Sequence, residues 1–140
     1  MPEPTTLAWV ARHLAPGERI TATHPLRGGW TSRIIALTTS TGRELVLRSF
    51  LSPFFRHHAP GLLAREAAVL TLLRGTPIPA ARLLALDPAG EHCAAPSLLM
   101  TRLPGTVRLT EDTGADLAAL LVAIHRLAPA DRPRPYQAWT

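Results

Sequence analysis

A chain of 140 residues and 15.1 kDa has room for one domain around one substantial core, which argues against a second full catalytic domain. With 46% apolar and 18% charged residues it can bury enough surface to fold, which argues against a wholly disordered chain. The net charge of +5 sets fifteen Arg against ten acidic residues, and with no Lys present no reaction that needs a lysine amine is open to it.

In chain order, Thr6 to Leu14 places Leu7, Val10, Ala11 and Leu14 at helical spacing before Pro16-Gly17, predicting a short opening helix. Ile20 to Leu26 has extended character, Arg27-Gly28-Gly29 is a flexible turn, and Arg33 to Thr39 is rich in β-branched and aliphatic residues. Ser40-Thr41-Gly42-Arg43 carries turn chemistry, so Glu44 to Arg48 is expected to fold back antiparallel as the third strand of a meander. Ser52 to Gly61 holds two prolines, a glycine and His57-His58 without a consistent period, and is predicted to be a connecting loop. Leu62 to Arg74 then reads as a helix with Leu62, Leu63, Val69, Leu70 and Leu73 on one face and Glu66 inside that face, closed by Gly75 and Pro77. Ala81 to Leu86 and Ser97 to Thr101 are expected to complete a sheet of about five strands. After Leu103-Pro104-Gly105, Thr113 and Asp116 suggest a capping box before a helix carrying Leu117, Leu120, Leu121, Ile124 and Leu127 that ends near Ala128. The tail from Pro129 to Thr140 is proline-rich.

Other chemistries find little support. The Arg residues are scattered from Arg12 to Arg134 without runs, unlike a nucleic-acid arm or a polybasic membrane patch. No window reaches the roughly 18 apolar residues of a membrane span, and Met1 to Val10 lacks the pattern of a signal peptide. Cys93, the single cysteine, excludes an internal disulfide and fits a reducing, cytoplasmic setting. His57-His58 makes a poor metal site, and the Trp residues at 9, 30 and 139 are read as packing residues, with Trp30 beside the glycine turn also within reach of a ligand.

The order strand, glycine turn, strand, hairpin, strand ending in a cation, helix with an inward carboxylate, two strands, Pro-Gly linker, helix is that of a kinase-like N-terminal lobe. The chain resembles the aminoglycoside phosphotransferase and choline kinase-like family in five stretches: Leu26 to Arg33, Leu45 to Arg48, Arg65 to Leu70, Leu98 to Gly105 and Leu121 to Leu127. The resemblance implies an α+β fold, with residues 1–102 as the nucleotide-binding lobe and residues 103–140 as the linker, the first helix of the C-terminal lobe and a tail.

It also implies site roles. Gly28 and Gly29 would let main-chain N–H groups approach ATP phosphates, with Ser32 standing where the family often has Asn. Arg48 takes the place of the phosphate-pairing Lys, and its forked, permanently charged guanidinium suits both phosphate and carboxylate. Glu66 is its expected partner, because a carboxylate on an apolar stripe is costly to bury unpaired. Arg65, about 100° round the helix, would face solvent. Met100 would line the pocket behind the base, and the Thr101 carbonyl and Leu103 N–H would meet the adenine edge, contacts indifferent to the Glu often found where Thr101 stands.

No catalytic residue is expected here. The 140 residues contain no His-Gly-Asp loop, His125-Arg126-Leu127 has Leu where a catalytic loop would have Asp, and Cys93 has no support as a nucleophile. Magnesium would be bound mainly by the C-terminal lobe, which would also supply the small-molecule acceptor site. The implied activity is ATP-dependent phosphoryl transfer to an alcohol group by a longer protein, this chain being inactive alone. The alternative is a non-catalytic nucleotide-binding or protein-interaction module. Without its lobe, the last helix would leave an apolar face that favours a homodimer.

Overall fold

The computed structural model describes residues 1–106 and 113–131. Eight elements follow in chain order: α1 (Pro4–Ala11), β1 (Ile20–Leu26), β2 (Arg33–Thr39), β3 (Glu44–Ser49), α2 (Pro53–Leu73), β4 (Leu83–Asp87), β5 (Ser97–Thr101) and α3 (Gly114–His125). The strands form one antiparallel sheet in the order β1-β2-β3-β5-β4. This is the α+β, kinase-like N-lobe fold, and the first three strands are the predicted meander.

Successive side chains of a strand point to opposite faces, and here both faces are covered. Ile35, Leu37, Leu45, Leu47 and Leu99 pack with Trp9 and Val10 of α1 on one face. Phe50 and Leu98 pack with Ala59, Leu63 and Ala67 of α2 on the other. Burial on both sides explains why β2 and β3 read as near-continuous apolar runs. In α1 the buried residues are Thr6, Trp9 and Val10, whereas Ala11, assigned to the inner face by spacing, is exposed because the helix ends there.

The largest departure from expectation lies in α2. Residues 53 to 61, expected to be a loop, are its first two turns and more. Pro53 sits at the helix start, where its missing N–H costs nothing. Pro60 lies inside the helix and removes one intrahelical bond, a defect of roughly 3 kcal/mol. Ala59, Leu63 and Ala67 recur at four-residue spacing and are all buried against Phe50 and Leu98, so tertiary burial offsets the defect. Val69, expected on the inner face, is 40% exposed. His57 and His58 are exposed as expected, but on a helix.

Strand β4 is displaced two residues from its predicted start and includes Asp87. This carboxylate is 2% exposed and accepts main-chain hydrogen bonds from Glu91 (2.9 Å), His92 (3.0 Å) and Cys93 (2.8 Å), closing the β4–β5 loop on itself. In α3, Thr113 is the N-cap but makes no side-chain capping bond, and no residue is buried. The α3 stripe meets the end of α2: Ile124 and Leu127 line an apolar cavity of about 430 Å³ with Val69, Leu72, Leu73 and Ile78. His125 and Arg126 are exposed.

Candidate functional site

The β1–β2 turn needs both of its glycines, for different reasons. Gly28 has φ +98°, in the left-handed region that side chains disfavour. A Cβ on Gly29 would stand 2.2 Å from the Ser32 carbonyl oxygen and 3.2 Å from Ile34 Cγ1. The turn therefore folds tightly back on the start of β2 and sets the position of Ser32, which is 7% exposed.

Arg48 lies opposite Ile34 of β2 and Leu98 of β5, on the sheet face shared with α2. Its Nε donates to Ser32 Oγ at 2.9 Å and its Nη1 to Glu66 Oε2 at 2.7 Å. The guanidinium carbon stands 5.1 Å from the centre of the Phe50 ring. Three elements, the glycine turn, β3 and α2, thus hold one cation. Among the described residues its Nη2 group makes no hydrogen bond.

The predicted partnership of Arg48 and Glu66 is present, although its setting differs. Both side chains keep about a quarter of their surface exposed, so the pair sits at the margin of the apolar stripe and solvent reaches it. Arg65, assigned to solvent, is partly covered.

A cavity of about 390 Å³ opens under the glycine turn, lined by Leu26, Gly29 to Ile34, Leu51 and Ser52 among others; Ser32, which accepts from Arg48, is part of this lining, and Arg48 itself is not. Leu51, Ser52 and Pro25 were invisible as lining residues in the sequence, because only the return of the chain from β3 to α2 brings the first two beneath the turn. Trp30, read mainly as a packing residue, is 95% exposed and also lines the cavity.

The segment Met100-Thr101-Arg102-Leu103 leaves the sheet at the end of β5. Met100 pairs with Val46 in the register and packs against the α2-side core, the same face as Arg48. The Thr101 N–H donates to the Arg82 carbonyl at 2.9 Å, and the Arg82 N–H donates to Thr101 Oγ1 at 2.8 Å. Thr101 therefore extends the β4–β5 pairing through its hydroxyl, a role its expected main-chain contact did not require. Arg102 is braced by Glu44, through its N–H to the Glu44 carbonyl (3.1 Å) and its Nη1 to both carboxylate oxygens (2.9 and 3.0 Å). Leu103 is 48% exposed, and its N–H has no protein partner among the described residues.

Other ionisable groups hold the fold together. Glu18 accepts from Arg43 Nη2 (2.6 Å) and Nε (3.1 Å), Thr41 Oγ1 and the Ala15 N–H; Arg43 leads the set of donors that pull its pKa down to about 2. Burial acts to raise the pKa of Asp87, but the main-chain donors of His92, Cys93 and Glu91 prevail and hold it below the ordinary carboxylate value. Burial and then the Asp87 carboxylate push the Cys93 thiol up to about 12, which removes it as a nucleophile at neutral pH. Among the described residues there is no group of three or more His, Cys, Asp or Glu side chains able to hold a metal, and no helix long and apolar enough to cross a membrane.

No curated protein matches the chain. A crystal structure from Ralstonia eutropha JMP134, of a protein provisionally named an aminoglycoside phosphotransferase, is similar in fold, with a TM-score of 0.54 and 23% identity over 73% of this chain and 28% of that one. A macrolide 2'-phosphotransferase type I aligns with a TM-score of 0.45 and 21% identity over 87% of this chain and 42% of that one. The chain spans less than half the length of either. The model of the phosphotransferase enzyme family matches residues 22–139, the stretch that holds the glycine turn, Arg48, Glu66 and the segment after β5, and the chain belongs to that family.

Proposed function

We propose that the chain is the nucleotide-binding lobe of an ATP-dependent small-molecule phosphotransferase. The observation that carries the reading is Arg48, held by Glu66 and by Ser32, a residue that also lines the cavity under the glycine turn. Such a group offers a polyphosphate a preorganised, charge-assisted donor. The N–H groups of the turn at Gly28 and Gly29 would add neutral donors, Met100 would line the pocket behind the base, and the Thr101 carbonyl and Leu103 N–H would meet its edge.

When bound, ATP would supply the phosphoryl group; the residues described here bind and orient it. They include no base for an acceptor hydroxyl and no metal-ligand cluster, so no transfer step is assigned to them, and magnesium and the acceptor would be handled by other parts of a longer protein. Isothermal titration calorimetry with ATP tests the reading. Arg48→Ala is expected to weaken binding about tenfold or more, the worth of a charged hydrogen bond. Glu66→Gln should weaken it less, because its amide oxygen can still orient Arg48. Equal affinity of wild type and Arg48→Ala would overturn the assignment.

The exposed face of α3 favours a second reading, a module that associates through protein contacts. Leu117, Leu121 and Val122 are 54%, 44% and 49% exposed, which is unusual for adjacent large apolar residues on one helix. This reading predicts association whether or not nucleotide is present.

A further inference from the structure

Thr101 departs from the pairing rule of the sheet that it ends. In a hydrogen-bonded antiparallel pair, two facing residues exchange both of their main-chain bonds. Thr101 gives its half, an N–H to the Arg82 carbonyl at 2.9 Å. The Arg82 N–H, however, donates to Thr101 Oγ1 at 2.8 Å and not to the Thr101 carbonyl. A threonine hydroxyl can compete with the main chain for such a donor, and here it has displaced its own carbonyl from the pairing. Among the described residues neither Arg82 nor any side chain donates to that carbonyl. The carbonyl is nevertheless held in place. Its own residue is tied twice to Arg82, and the next, Arg102, is tied to Glu44 by its N–H (3.1 Å) and its Nη1 (2.9 and 3.0 Å).

We propose that the Thr101 side chain selects the base. By taking the Arg82 N–H, its hydroxyl leaves the Thr101 carbonyl as a fixed, free acceptor, which favours a purine carrying a 6-amino group over one without it. This rests on the nucleotide reading, and it makes a main-chain contact depend on a side chain. Without the hydroxyl, the Arg82 N–H has the facing carbonyl as its regular acceptor. An unpaired N–H costs free energy, so the ordinary pair forms and draws the carbonyl into the sheet. A 6-amino group is a donor and needs that acceptor; a purine with hydrogen at the same position makes no bond there and is indifferent to the change.

The test uses the full chain and calorimetry with two ligands, ATP and purine ribonucleoside triphosphate, which carries hydrogen where ATP carries the 6-amino group. Wild type is expected to bind ATP about fivefold more tightly, the worth of one neutral hydrogen bond. Thr101→Val keeps the shape of the side chain and removes the hydroxyl; it should lose the preference by weakening ATP alone. Thr101→Ser keeps a hydroxyl and should keep the preference. A general disturbance of β5 weakens both ligands together, so the ratio within each protein separates selection from structure. Equal binding of the two ligands by wild type overturns the proposal without any variant. So does a preference retained in Thr101→Val or lost in Thr101→Ser, and each of these results leaves the nucleotide reading standing. A wild-type chain that binds neither ligand overturns the nucleotide reading and the selection with it.

Discussion

Replacing Gly29 with Ala probes the link between the glycine turn and the Arg48 cluster. The added Cβ would stand 2.2 Å from the Ser32 carbonyl oxygen, where real Cβ atoms keep at least 3.0 Å, so the main chain must open by about 0.8 Å. Neighbouring backbone cannot rotate aside as the end of a side chain can, and overpacking of this kind costs about 1–3 kcal/mol. For a chain of this size that is a fall in melting temperature of about 3–12 °C. The displaced residue is also the one whose hydroxyl holds Arg48 Nε, so ATP affinity should fall together with stability. Gly28→Ala is the control: nothing lies within 4 Å of its Cβ, but φ +98° costs about 1–2 kcal/mol in backbone strain alone. Urea denaturation gives the stabilities and calorimetry the affinities. Because both act through Ser32, the affinity losses of Gly29→Ala and Ser32→Ala should fail to add in a double-mutant cycle. Gly29→Ala with wild-type stability and affinity would refute the close approach; additive losses would show that Gly29 does not act through Ser32.

Further outcomes are expected elsewhere. Asp87→Asn should destabilise the chain by about 1–3 kcal/mol in urea denaturation, because an amide has one acceptor oxygen and its NH2 group must then face either the Glu91 N–H or the N–H groups of His92 and Cys93; a change within error would show that the loop is held by other contacts. The folded pKa of Glu18 is depressed to about 2, so its contribution is fully present above the unfolded value of roughly 4.3 and is lost as pH falls toward 2. Glu18→Gln should flatten the stability profile between those limits, and an unchanged slope would refute the role given to Arg43. Cys93 should resist a thiol reagent at pH 8 until the chain is unfolded, and fast labelling of the native chain would contradict its burial. If the α3 face pairs with a second copy, light scattering should show association that rises with concentration and disappears in Leu121→Glu; a monomer at high concentration would refute pairing.

Much of the architecture was legible in the residues themselves. Strands β1, β2 and β5 fall where composition and turn residues placed them, and β3 differs by one residue, because a sheet covered on both faces leaves an apolar run bounded by Gly, Pro and Ser/Thr turns. Glu66 stood out because a carboxylate on the stripe of Leu62, Leu63, Val69, Leu70 and Leu73 requires a cation, and strand order supplied Arg48. Local rules failed where long-range burial outweighed them. Pro53, Pro60 and Gly61 argue for a loop, yet the four-residue spacing of Ala59, Leu63 and Ala67 against Phe50 and Leu98 extends α2 through them. No local pattern could show that Asp87 would gather three main-chain donors from residues four to six positions on, or that Thr101 would pair with Arg82 through its hydroxyl. The cavity under the turn depends on residues more than twenty positions apart meeting at one sheet corner. The sequence alone thus determined which groups were available, and only the tertiary structure decided which of them meet, because the partners of a side chain depend on strand order and helix position, which are set by burial of the whole chain.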